Sequence, residues 1–192
     1  MFFVNMLVVE VCMAIKGVNQ PNILEINEKL RLRKFDGSFD FAYNWYQNEE
    51  TLKLVDGINA VAYDMEKLQR MYKYLDNHGE LYFIEILEND VFIPIGDVTF
   101  WQEDMPIVIG DLRYRKCGIG TLVVKALVKR ARFIGFDTIY VNEIYKYNYG
   151  SQALFENAGF QIYESTDKGS RYKLDLEFLE LGGVLFLTPS DS

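Results

Sequence analysis

The apolar positions of this chain repeat every second residue in some stretches and every third or fourth in others, and that change of period marks out its elements. Leu30-Arg31-Leu32-Arg33-Lys34-Phe35 alternates as a first strand. Residues 39–47 and 49–55 follow as two short helices. Met65, Leu68, Met71, Tyr72 and Leu75 share a helical face, and Asp64 stands ahead of them as an N-cap. Residues 81–87 and 91–100 read as a strand pair joined by Glu88-Asn89-Asp90, with Pro94 imposing a bend or an edge on the second strand. Ile107-Val108-Ile109 is a short β-branched run. Beyond it Leu122, Val123, Ala126, Leu127, Ala131 and Ile134 line one side of a long helix that Gly135 caps. Residues 138–141 form the next strand, and Leu154, Phe155 and Ala158 stripe a helix that Asn148 opens and Gly159 ends. Residues 160–163 and 171–176 complete the sheet.

A strand, a helix and a second strand in succession imply parallel neighbours or near neighbours in one sheet. The 192 residues show no repeat and no low-complexity linker, so one domain with one substantial core is expected. Its limits are residues 23–176, with an apolar extension or added strand at 1–22 and a tail at 177–192. The apolar run of the extension contains Glu10 and has no basic residue before Lys16, so it suits neither a membrane span nor a signal peptide. The apolar part of the tail, residues 181–187, would pack on the extension or on a partner subunit of a homodimer.

The junction Arg115-Lys116-Cys117-Gly118-Ile119-Gly120, leading to Thr121, carries the chemistry. It lies between a strand and a helix, where unpaired N–H groups and the helix dipole favour a phosphate. Gly118 and Gly120 allow close approach of a ligand, and Arg115 adds a charge suited to phosphate oxygens. A second segment runs Asn148-Tyr149-Gly150-Ser151-Gln152-Ala153-Leu154-Phe155-Glu156-Asn157-Ala158-Gly159-Phe160.

With these two segments the chain resembles the GNAT N-acetyltransferase superfamily. Arg115, Gly118 and Gly120 meet its Gln/Arg-x-x-Gly-x-Gly/Ala loop, and Asn148, Ser151, Leu154, Glu156, Gly159 and Phe160 fit its next stretch. The similarity spans about residues 95–176. It implies an α/β (α+β) single-domain fold with a mixed, splayed central sheet flanked by helices, and acetyl-CoA as co-substrate with no metal. It further implies that backbone groups of Ile109, Gly110 and Asp111 pair with the pantetheine, and that Arg115 and the N–H groups from Lys116 to Thr121, Ile119 included, hold the pyrophosphate. Asn148, Ser151 and Phe155 would line the CoA cleft. Lys116 and Cys117 depart from the usual Gly and basic residue, and Phe155 replaces the tyrosine that protonates the departing thiolate. Phenylalanine donates no proton, which leaves Tyr149, Tyr145 and Tyr147 as alternative hydroxyls.

Acetyl transfer needs a neutral amine, hence a proton acceptor. Glu143, just past the second motif strand, is the first candidate, followed by Asp111, Asp97 and Glu103. His78, the lone histidine, sits before Gly79 at a helix end, where a dipole-matched position accounts for it. Cys12 and Cys117 have no metal-ligand spacing, and two cysteines without an export signal fit a reducing cytoplasm. A net charge of −8 disfavours nucleic acid and favours a cationic acceptor. Asp36, Asp40, Glu49 and Glu50, interleaved with Phe39, Phe41, Trp45 and Tyr46, suit an amine-bearing ligand or else form an amphipathic surface. The expectation is direct acetyl transfer to a primary amine, a small cationic one such as an aminoglycoside. A peptide N-terminus and a non-catalytic CoA-binding module are the alternatives.

Overall fold

A computed structural model describes residues 15–176. The element order is β1 (Ile23–Asn27), β2 (Leu30–Lys34), a 3-10 helix (Asp40–Gln47), α1 (Glu49–Asp56), α2 (Met65–His78), β3 (Glu80–Glu88), β4 (Val91–Phe100), β5 (Ile107–Ile109), a 3-10 turn (Leu112–Tyr114), α3 (Ile119–Ile134), β6 (Thr138–Tyr145), α4 (Tyr149–Asn157), β7 (Gln161–Ser165) and β8 (Gly169–Asp175). The apolar segments at 2–14 and 181–187 and Cys12 lie outside the described residues.

The helix ends follow local chemistry. Asp64 caps α2 by accepting from the Lys67 N–H at 2.7 Å, and Gly135 closes α3 in the left-handed region at φ 87. His78 ends α2 with Nδ1 2.7 Å from the Tyr74 carbonyl and its ring stacked on Tyr74. Asn89 and Asp90 take positive φ between β3 and β4, the backbone a tight hairpin turn demands. Pro94 pairs opposite Glu85 beside a register shift that leaves Ile95 bulged, so the bend sits where the missing N–H costs no ladder bond.

The strands form two sheets, one of order β1-β2-β3-β4-β5 and one of order β6-β8-β7, and every registered pair is antiparallel. The expectation of one sheet across the α3 crossover is therefore corrected: β5 and β6 belong to different sheets and share no register. Strand β1 escaped the sequence reading, which began the sheet at residue 30. On one face of the larger sheet Tyr82, Ile84, Val98 and Phe100 meet α3 and the inner faces of β6 and β8. On the other, Leu81 and Phe83 meet Trp45, Tyr46, Leu68 and Tyr72 from the 3-10 helix and α2. Within α3 the buried positions are Ile119, Val123, Val124, Leu127, Val128 and Ala131, while Leu122 faces water, a rotation of the predicted stripe toward the core. No helix among the described residues is long and apolar enough to cross a membrane.

Candidate active site

The two sheets meet at the turn before β5. There the Tyr140 N–H donates to the Gln102 carbonyl at 2.8 Å, and Asp104 Oδ1 accepts from the Asn142 N–H at 2.9 Å. Past Asn142 the β6 register shifts, and no backbone bond joins β6 to β5 among the described residues. A cleft therefore opens between residues 107–110 and 141–145. Burial raises the Asp104 carboxyl above its ordinary range, and N–H donors from Asn142 and Met105 pull it back.

At the mouth of the cleft the loop after β5 turns into α3. Lys116 and Gly118 hold φ 59 and 78, so successive N–H groups point inward as a nest. None of the six N–H groups from Lys116 to Thr121 has a partner among the described residues. Gly118 has no neighbour within 4 Å of where a side chain would begin, so the concavity is open. Unpaired donors at the N-terminus of a 16-residue helix are the arrangement that could hold an anion, a candidate cradle. Lys116 and Cys117 are exposed beside it, and the Cys117 thiol is free.

Arg115 does not point into that cradle. Its Nε donates to the Ile109 carbonyl at 2.9 Å, its Nη2 to Thr51 Oγ1 at 2.6 Å, and its Nη1 lies 3.5 Å from Glu50 Oε2. At the far end of α1, Tyr147 donates to the Lys53 carbonyl at 3.1 Å and Asn148 Nδ2 to the Leu54 carbonyl at 3.4 Å. Helix α1 thus bridges the cleft, tied at its first turn to the arm after β5 and at its last to the arm after β6. The Arg115 side chain accordingly does a different job from the phosphate contact expected of it.

The segment Ile109, Gly110 and Asp111 lies at the cleft edge. The Gly110 and Asp111 N–H groups both donate to the Ile95 carbonyl at 2.9 Å, which the bulge presents to them. Gly110 packs directly on the Trp45 ring, and a Cβ there would collide with it. Asp111 is held by Arg113 below the usual carboxylate range, which makes it a poor proton acceptor. Asp97 is buried and accepts from Tyr46 at 3.0 Å and Tyr72 at 2.9 Å, and Glu103 is exposed.

Asn148 caps α4 as expected, accepting from the Ser151 N–H at 3.1 Å. The Phe155 ring is buried against Phe160, in the core common to both sheets. Tyr149 is 75% exposed on the first turn of α4. Glu143 projects from the β6 bulge and accepts from Thr166 Oγ1 in the turn between β7 and β8. Tyr145, two residues on, lies with its hydroxyl beside Gly57, and its ring stacks on Tyr147 with centroids 5.2 Å apart.

The acidic and aromatic grouping at residues 36–50 separates in the structure. Trp45 and Tyr46 are core, whereas Asp36 pairs with Arg33 and Glu50 with Arg115. The amphipathic surface is the correct reading, because a short helix on a sheet buries one face and wets the other. Sequence reasoning missed Trp45 against Gly110, Asp104 at the vertex and the Tyr145–Tyr147 stack. Only the last left a trace, a run of tyrosines at alternate positions. Among the described residues no three His, Cys, Asp or Glu side chains gather as metal ligands.

Residues 39–160 match the model of the Acetyltransferase (GNAT) family. No curated protein matches the sequence. Solved structures with the same fold include a domain from Methanocaldococcus jannaschii DSM 2661, 20% identical at TM-score 0.67, covering 78% of this chain and 99% of that one. They also include the Salmonella typhimurium acetyltransferase that modifies the N-terminal serine of a 50S ribosomal subunit protein, at 14% identity, TM-score 0.61, and 80% and 98% coverage. A third is aminoglycoside acetyltransferase AAC(6')-Ib in complex with coenzyme A, at 16%, 0.62, and 79% and 98%.

Proposed function

The chain belongs to the acetyltransferase (GNAT) family, and on that premise we propose that it transfers an acetyl group from acetyl-CoA directly to the primary amine of a small cationic molecule. The observation that carries this is the row of free N–H groups from Lys116 to Thr121, which opens onto the cleft between β5 and β6. Those residues suit a pyrophosphate, since open donors at a helix N-terminus and no intruding side chain are what a dianionic group requires. The pantetheine would lie along residues 109–111, where the Gly110 carbonyl is free among the described residues, with Asn148 and Ser151 at the start of α4 opposite and Phe155 backing them from the core.

Bound acetyl-CoA supplies an activated thioester carbonyl. Glu143 takes a proton from the acceptor ammonium, the neutral nitrogen bonds to the carbonyl carbon, and the carbon–sulfur bond breaks to release a thiolate. The nitrogen gives up a second proton, which ends on that sulfur, to leave an amide and the CoA thiol. Phe155 offers that thiolate no proton, so Tyr145, Tyr149 or water does so. The exposed Cys117 thiol in the cradle fits a reducing cytoplasm.

A protein N-terminus is the second reading, favoured by the similarity in fold to the ribosomal-protein enzyme. A free-thiol assay with acetyl-CoA against amines, aminoglycosides, polyamines and N-terminal peptides tests both. Acceptor-dependent thiol release is expected with a small amine. Binding of CoA by calorimetry with no release from any acceptor would favour a non-catalytic module instead.

A further inference from the structure

We infer that the acceptor presents a single amine on an apolar or aromatic body, read by Tyr145 and the loop between α1 and α2. This rests on the proposed acetyl transfer and names the kind of molecule received. The alternation of β6 supports it. Ile144 turns into the core, so Glu143 and Tyr145 stand together on the opposite face, which looks toward the C-terminal end of α1.

What surrounds that face is apolar. Tyr145 and Tyr147 stack with an interplanar angle of 12°, and the Tyr147 hydroxyl is anchored on the Lys53 carbonyl, which fixes the pair rigidly. Gly57 holds φ 100 and brings its backbone against the Tyr145 hydroxyl, 3.2 Å from an idealised Cβ position. A side chain there would be strained and would crowd the ring. In the loop that follows Gly57, Ile58 is 71% and Val61 73% exposed, and exposed aliphatic side chains on a loop anchored at an aromatic pair mark a surface that gains from covering.

Charge sets the amine count. Glu143 is the carboxylate on this face and complements one ammonium, which the tyrosine rings also attract. Lys53 Nζ lies 5.2 Å from the Tyr147 ring, a nearby cation that opposes a second or third ammonium on the same ligand. Asp56, at the end of α1 beside this face, pairs with Lys67, and Asp36 and Glu50 pair with Arg33 and Arg115. A polycation therefore meets one carboxylate, Glu143, on this face, and an apolar body meets the tyrosine rings.

The test compares kcat/KM for 2-phenylethylamine, ethanolamine, spermidine and kanamycin with saturating acetyl-CoA. A preference for phenylethylamine of about tenfold or more is expected, the scale one well-filled apolar contact provides. Tyr145→Ala and Ile58→Ser should each raise its KM severalfold while leaving the KM for acetyl-CoA unchanged, and Tyr145→Phe should restore it. Acetylation of all four amines without preference, or a preference for kanamycin or spermidine, would overturn the inference and leave the transferase standing. Thiol release from none of these amines or the peptides, with CoA still bound, would remove both.

Discussion

Asp104 Oδ1 accepts the Asn142 backbone N–H at 2.9 Å, and from that bond the two sheets part. The same oxygen accepts the Met105 N–H at 2.9 Å, so one half-buried carboxylate holds both arms of the cleft at its vertex. Asp104→Ala strands two N–H donors and should lower stability by about 1–3 kcal/mol in urea unfolding. Asp104→Asn keeps an acceptor at the same place and should recover most of that loss. Equal destabilisation by both substitutions would mean that the charge, not the acceptor geometry, matters.

Burial pushes the Asp97 carboxyl up from 3.8 to about 6, against the opposing hydrogen bonds from Tyr72 and Tyr46. Between those values the folded protein keeps a proton that the unfolded chain has released. The group's contribution thus favours folding below about pH 4 and is lost as pH rises through about 6. That loss amounts to about 3 kcal/mol. The stability of wild type relative to Asp97→Asn, measured by chemical unfolding, should decline by that order from pH 4 to pH 7. A difference independent of pH would show the carboxyl to be unperturbed.

Gly118 lies at φ 78 with open space where a Cβ would project. Gly118→Ala should cost about 1 kcal/mol in backbone strain, with no clash inside the protein. The larger effect should fall on the ligand, with CoA affinity by calorimetry weakened on the order of tenfold, about 1.4 kcal/mol. Unchanged affinity would move the phosphate site away from this loop.

Glu143→Gln should lower kcat by roughly a hundredfold while the CoA dissociation constant stays put, the signature of a lost proton acceptor. The amide still accepts from Thr166, so the turn between β7 and β8 should remain in place. Turnover within a factor of two of wild type would discard Glu143 as the base.

Arg130 and Glu80 form an ion pair at 2.6 Å with side chains only 9% and 1% exposed. That pair ties the C-terminal half of α3 to the start of β3, and Tyr82 adds a hydrogen bond to the same carboxylate at 2.9 Å. Arg130→Met leaves a buried carboxylate uncompensated and should cost about 3–5 kcal/mol by thermal or chemical unfolding. Adding Glu80→Gln should return a large part of it, and a merely additive loss would contradict the pairing.

Much of the site's backbone was legible because it is local. Gly118 before an apolar helical stripe, Asn148 three residues ahead of Ser151, and Asp64 ahead of Lys67 each declare a cap through neighbours in sequence. The hairpin at Asn89 and Asp90 is of the same kind. Side-chain assignments fared less well. Arg115 read as a phosphate ligand because it adjoins the loop, yet Thr51, 64 positions away, takes its Nη2. Trp45 and Tyr46 read either as ligand-facing aromatics or as the core side of an amphipathic helix, and contacts with Gly110 and Asp97, more than 50 positions away, put both in the core.

The sequence by itself determined the order of elements from β2 onward, the glycine-rich turn into α3 and the family, since each depends on residue types at short spacing. Only the tertiary structure decided that the sheet splits between β5 and β6, that α1 straps the gap, and that Glu143 and Tyr145 share a face. Those outcomes rest on hydrogen bonds and packing between segments tens of residues apart, such as Asp104 with Asn142 and Lys53 with Tyr147. A long-range partner is selected by the free energy of burying the whole core, which no local pattern encodes.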